Sequence, residues 1–109
     1  MDEQTYEIRE GVRRSKAAWL CGHETIPASI GGIGEVFEVP VRSLLSPKPI
    51  IEDIGPRGGD WGRAYRGTQR GDILPPIVVM PGSLGTPIAD VEIQYDELEL
   101  LRQRLAGNP

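Results

Sequence analysis

Apolar and polar positions alternate in short bursts along this chain, which predicts many brief elements rather than a few long ones. Thr5-Tyr6-Glu7-Ile8-Arg9 alternates and is rich in β-formers, so it reads as a strand, and Gly11 breaks it. Residues 12–21 favour a helix, with Val12, Ala17, Leu20 and Cys21 as inward positions and Gly22 as the C-terminal cap. His23-Glu24-Thr25 is a turn. Ile26 to Ile30 follows as an edge-type strand, because Pro27 cannot donate to a ladder. Gly31 to Gly34 form a joint, and residues 35–41 alternate again, with Val36 or Phe37 facing the core. Ser43-Leu44-Leu45-Ser46 reads as one helical turn stopped by Pro47 and Pro49.

The second half is more loop-like. Residues 55–59 carry the strongest loop composition, and Asp60 is placed to cap a short helix through Trp61, Ala64, Tyr65 and Thr68. Ile77-Val78-Val79-Met80 is a continuous apolar run bounded by prolines, the best candidate for a buried central strand. A turn over residues 81–87 leads to a third alternating strand at Asp90 to Gln94. Asp96 and Glu99 then form a capping-box pair for a last helix whose Leu98, Leu101 and Leu105 share one stripe, closed by Gly107. The expectation is a single α+β domain over residues 1–109, a small mixed sheet with short helices.

Composition narrows the function. With 14 glycines and 10 prolines among 109 residues, turns must be frequent, and one hydrophobic core is all the chain can build. No apolar run approaches the roughly 18 residues of a membrane span, so no membrane partner is expected. The opening Met1-Asp2-Glu3 has the wrong charge for a secretory signal, and the lone Cys21 suits a reducing compartment, which makes the cytoplasm the expected location. The net charge of −4 argues against tight non-specific binding of nucleic acid. Cations nevertheless cluster at Arg9, Arg13, Arg14 and Lys16 and again at Arg57, Arg63, Arg66 and Arg70, which leaves room for a local anion site.

The chemistry concentrates in Glu10-Gly11-Val12-Arg13-Arg14, where a strand gives way through glycine to a helix that starts with two arginines. A helix start presents unpaired N–H groups and the positive end of the dipole, so anions bind there readily. Cations at that end are slightly unfavourable unless an anion is near. Gly11 allows close backbone approach, and Arg13 or Arg14 can add bidentate bonds to a phosphate. A solvated pair of arginines on an exposed helix is the competing reading. His23 reads as a capping or surface residue, Cys21 as a small core residue, and Trp19 and Trp61 as packing residues. Arg63, Arg66, Gln69 and Arg70 either face the same ligand or form a solvated helical face. No His/Cys/Asp cluster stands at metal-ligand spacing, and no Walker-type loop is present.

The run from Tyr6 to Ala28, with its Gly-x-Arg-Arg turn, alanine-bearing helix, glycine and Thr25-Ile26-Pro27-Ala28, resembles the C-terminal half of the ParB/sulfiredoxin-like nucleotide-binding domain. Val39 to Pro47 is similar to that family's first strand and the turn after it, and Gly71 to Val79 to its Gly-x-x-x-Pro-Ile-x-Val loop and strand. The matches touch about half the chain, and their order is reversed relative to the family. The resemblance therefore implies a circularly permuted ParB/sulfiredoxin-like fold, with Gly31 to Gly34 bridging the former ends. It also implies a nucleotide site: Gly11, Arg13 and Arg14 on a triphosphate or diphosphate carried with Mg2+, and Pro76 and Ile77 lining the pocket. Val12 stands where partition proteins have glutamate and sulfiredoxins cysteine, so the usual catalytic residue is missing. Glu10, one step outside, is the available substitute as base or magnesium ligand.

Three functions follow from these observations. One is a nucleotide- or phosphate-binding module associated with DNA or a DNA-bound protein. Another is a nuclease or phosphoryl-transfer enzyme on the same fold. The third is an interaction protein of phage or plasmid origin with a degenerate site. Sequence-specific DNA reading is not expected of this chain alone, which has no room for a separate helix-turn-helix region. A strand edge opened by permutation favours a homodimer.

Overall fold

The computed structural model describes residues 3–31, 34–53, 59–95, 101 and 105–107. It is a mixed α+β domain. Six strands form one sheet in the order β3-β2-β6-β1-β4-β7: β1 (Tyr6–Glu10), β2 (Thr25–Ile30), β3 (Phe37–Pro40), β4 (Leu44–Ser46), β6 (Ile77–Pro81) and β7 (Thr86–Pro87). β5 (Ile50–Asp53) and β8 (Glu92–Tyr95) pair in parallel as a separate two-stranded sheet. Two helices, α1 (Val12–Leu20) and α2 (Gly59–Arg70), pack on each other.

β6 lies inside the large sheet, antiparallel to β1 and parallel to β2, as its apolar run predicts. Ile77 and Val79 are fully buried there, while Val78 and Met80 on the opposite face are half-buried. Those two side chains join Ile8, Ala28, Val39, Val41, Leu44 and Ile88 in one core that also takes in Ile51 and Val91 from the flanks of the small sheet. Burying an aliphatic side chain of this size contributes about 1.5–3 kcal/mol, so the core holds both sheets in one unit.

Several sequence expectations change once the sheet assembles. β2 is an interior strand, not an edge, because Pro27 lies where only β3 is paired and β6 joins one residue later, at Ala28. The missing N–H therefore breaks no ladder. In β3 the core residue is Val39, whereas Val36 is exposed and Phe37 half-buried against Tyr6. The expected helical turn at Ser43 to Ser46 is instead a 3-10 turn at Val41–Ser43 followed by β4, which runs parallel to β1. β5 was not anticipated from the alternation pattern. Helix α2 starts at Gly59, and the Asp53 carboxylate at the end of β5 accepts the Trp61 N–H at 2.9 Å, doing the capping expected of Asp60. Among the predicted features of the last helix, Asp96, Leu98 and Glu99 lie outside the described residues, and Leu101 and Leu105 are exposed. So do Gly32 and Ile33 of the joint and residues 55–58 of the predicted loop.

Helix α1 buries Ala17, as its apolar residues suggest, with Val12 and Cys21 half-buried, but Ser15, Lys16 and Ala18 also turn inward and Leu20 is exposed. The burial of Lys16 has a specific cause. Its ammonium donates to the carbonyls of Ile88 at 3.2 Å and Ala89 at 3.1 Å, in the 3-10 turn Ile88–Asp90 that leads into β8. Burial pushes the Lys16 pKa below its ordinary value, with nearby Asp90 opposing the shift. Among the described residues no helix is long and apolar enough to cross a membrane.

Candidate functional site

Gly11 is the residue on which the start of α1 turns. Its φ of 111° is a left-handed backbone that L side chains rarely adopt. A Cβ there would also collide with the Ile77 side chain, whose Cβ would lie 2.8 Å away. The glycine thus serves first to seat α1 against β6. No side-chain hydrogen bond caps this end of α1, and its first turn carries no acidic residue. The earliest intrahelical bond runs from Ser15 N to Gly11 O at 2.9 Å.

Two clefts meet at this helix start. The larger, about 710 Å3, is lined by Arg9, Glu10, Gly11, Val12 and Arg13 on one side and by Pro47, Lys48, Pro49, Ile50, Ile51 and Glu52 on the other. The smaller, about 390 Å3, lies between residues 10–14 and a wall made by Asp60, Arg63, Ala64, Leu74 and Pro75. Glu10, Gly11, Val12 and Arg13 line both.

The paired arginines diverge. Arg13 reaches β5, where Nη2 donates to the Glu52 carbonyl at 3.1 Å. Its Nε is buried and finds no partner among the described residues. That is the kind of donor whose burial costs about 1–3 kcal/mol until something accepts from it. Arg14 turns the other way. Nη1 donates to the carbonyls of Pro75 and, at 3.0 Å, of Pro76, and the side chain is only 18 % exposed. Glu10 stands 4.0 Å from Arg14 Nη2 with a largely exposed carboxylate.

The other residues singled out from sequence are placed as follows. Pro76 is exposed, whereas Ile77 is fully buried beneath Gly11 and lines neither cleft. Arg63 joins the smaller cleft, and Arg66, Gln69 and Arg70 lie on the exposed side of α2. His23 is exposed, Cys21 is a half-buried free thiol, Trp61 is buried against Tyr65, and Trp19 is partly exposed. Sequence reasoning missed Lys48 and Glu52. The Pro47-Lys48-Pro49 run signals an extended segment, but nothing local signals that it lies opposite residue 11.

Chemically, the larger cleft offers a helix N-terminus, three cationic side chains (Arg9, Arg13, Lys48) and two carboxylates (Glu10, Glu52). Among the described residues no group of three His, Cys, Asp or Glu is placed to hold a metal. No family model, no curated protein and no solved structure matches the chain.

Proposed function

We propose that this chain is a phosphate-binding module, with the anion seated at the start of α1 in the larger cleft. More particularly, it acts as a nucleotide-binding module of the ParB/sulfiredoxin-like type, taking a nucleoside triphosphate or diphosphate whose Mg2+ comes with the phosphates. The observation that carries this reading is the unpartnered, buried Nε of Arg13 beside an uncapped helix start in a cleft with Arg9 and Lys48. Each of these would be stabilised by an oxyanion, and the anion would offset the unfavourable placement of cations at a helix N-terminus. Arg13 supplies charge-assisted bonds, and Glu10 and Glu52 face the ion accompanying the phosphates.

The permuted arrangement has support of its own. β1 and β6 pair antiparallel with Tyr6 opposite Pro81, and the Gly82 N–H donates to Thr5 O at 3.2 Å. Thr5 therefore lies across a two-stranded ribbon from Gly82, as the two arms of a hairpin would. β2 and β3, flanking Gly31 to Gly34, pair as the antiparallel neighbours a short bridge requires.

Thermal shift with ATP, CTP, GTP and ADP, each with and without magnesium, tests the proposal. At least one nucleotide is expected to raise the melting temperature, and Arg13→Ala to abolish most of that rise. No shift from any of them, with Arg13→Ala indistinguishable from wild type, would end the reading. A second reading, association with DNA or a DNA-bound protein, is favoured by Arg63, Arg66 and Arg70 on the exposed face of α2. Its check is whether an oligonucleotide is retained at low salt and released as screening rises.

A further inference from the structure

Two consecutive prolines create a mechanical problem beside the proposed site. Pro75 and Pro76 have no N–H groups, so the segment cannot be held by its own backbone donors, and its carbonyls are its only main-chain handles. Residues 71–76 nevertheless provide one wall of the smaller cleft, through Leu74 and Pro75. Gly71 and Asp72 are tied back to α2 through their own N–H groups, to the carbonyls of Thr68 and Gly67, and two features of α1 hold the proline end. The Arg14 guanidinium, a rigid multi-donor fork, bonds both proline carbonyls through Nη1. One residue further along, Ile77 occupies the space that a side chain on Gly11 would need.

We propose that Arg14 is a positioning residue: it latches the Leu74–Pro76 wall onto the start of α1 and so sets which group the smaller cleft accepts beside a bound phosphate. This rests on the phosphate-binding reading above and assigns the two arginines different work. Arg13, whose Nε has no partner among the described residues, meets the phosphates. Arg14, already committed to two carbonyls, shapes the apolar wall against which the nucleoside part of the ligand rests. Leu74 and Pro75 line this cleft together with Arg63 and Ala64 of α2, opposite residues 10–14, so their position bears on the room left for a planar group.

The two roles separate when inorganic triphosphate is compared with ATP, CTP and GTP, all with magnesium, by titration calorimetry. Wild type is expected to bind one nucleotide about ten-fold or more tighter than triphosphate, a difference of about 1.4 kcal/mol. Arg14→Ala should erase that preference by lowering nucleotide affinity about ten-fold more than triphosphate affinity. Arg13→Ala should weaken triphosphate and nucleotides together and flatten the salt dependence. Arg14→Gln, which keeps N–H donors without the charge, should retain more of the preference than Arg14→Ala, and it carries the test if the alanine variant does not fold. Hydrogen exchange of the ligand-free protein gives an independent readout: the Leu74 and Ile77 amides should exchange faster in Arg14→Ala.

A parallel loss of triphosphate and nucleotide affinity in Arg14→Ala would make Arg14 a phosphate contact and overturn the assignment. Should wild type bind no probe, the phosphate reading fails by itself. The latch is then judged by exchange alone, and unchanged rates at Leu74 and Ile77 would overturn it.

Discussion

At the scale of single residues, the polar start of α1 works as a set of ties to other segments rather than as a solvated face. Arg13 holds the Glu52 carbonyl, Arg14 holds Pro75 and Pro76, and Lys16 holds Ile88 and Ala89. Gly11 makes this geometry available, and its replacement has two costs, the positive φ and the collision with Ile77. Gly11→Ala should therefore lower unfolding stability by about 2 kcal/mol or more, as read from the urea midpoint. Lys16 gives a pH signature. Its pKa is lowered in the folded protein, so just below the ordinary lysine range the unfolded chain binds more protons than the folded one. Stability should rise with pH through that alkaline window as the cost of burying a charged ammonium is relieved. A Lys16→Met variant should lose this rise, and the difference between the two stability–pH curves is the quantity to measure.

At the scale of elements, helix α2 depends on a residue outside it. The Asp53 carboxylate caps Trp61 N from the end of β5, and Gly59 packs so closely on it that no side chain fits. Asp53→Ala should destabilise the protein by about 1 kcal/mol, within the usual range for a lost N-cap, and Asp53→Asn should recover most of it. Circular dichroism during denaturation checks both. Helix α1 shows how packing overrides apolarity at its inward face. Its apolar residues suggest Val12, Ala17, Leu20 and Cys21, yet Lys16 is buried one turn before the exposed Leu20, because two carbonyls stand within its reach. Ser15 bonds back to Gly11 O at 2.8 Å, and Lys16 finds two carbonyls, so polar residues fill core positions without orphaned groups.

At the scale of the whole molecule, the core runs from the large sheet into the flanks of the small one, with Ile51 and Val91 packed among Val79, Leu44 and Ile88. A shared core predicts one cooperative transition. Tryptophan fluorescence, reporting on buried Trp61, and far-ultraviolet circular dichroism should give coincident urea curves. The larger cleft is also a whole-molecule property, since its two sides come from residues 9–13 and residues 47–52. Arg13 spans them, and Arg13→Ala removes that tie together with the buried, unpartnered Nε. The two effects oppose each other, so unfolding stability should change by no more than about 1 kcal/mol while ligand affinity falls.

Local information settled where most elements would fall. Turn-forming glycines and prolines, the alternation in β1 and the apolar run of β6 are properties of neighbouring residues, and the chain's periodicity displayed them directly. The Glu10 to Arg14 segment was legible as a strand end and helix start for the same reason, because those need only adjacent residues. Which side chains remain open for a ligand was decided by assembly. Arg13 and Arg14 are consecutive and chemically identical, and only the positions of β5 and of the Pro75–Pro76 carbonyls send one to an open cleft and the other to a latch. Long-range packing supplies those partners, and no spacing along the chain encodes them.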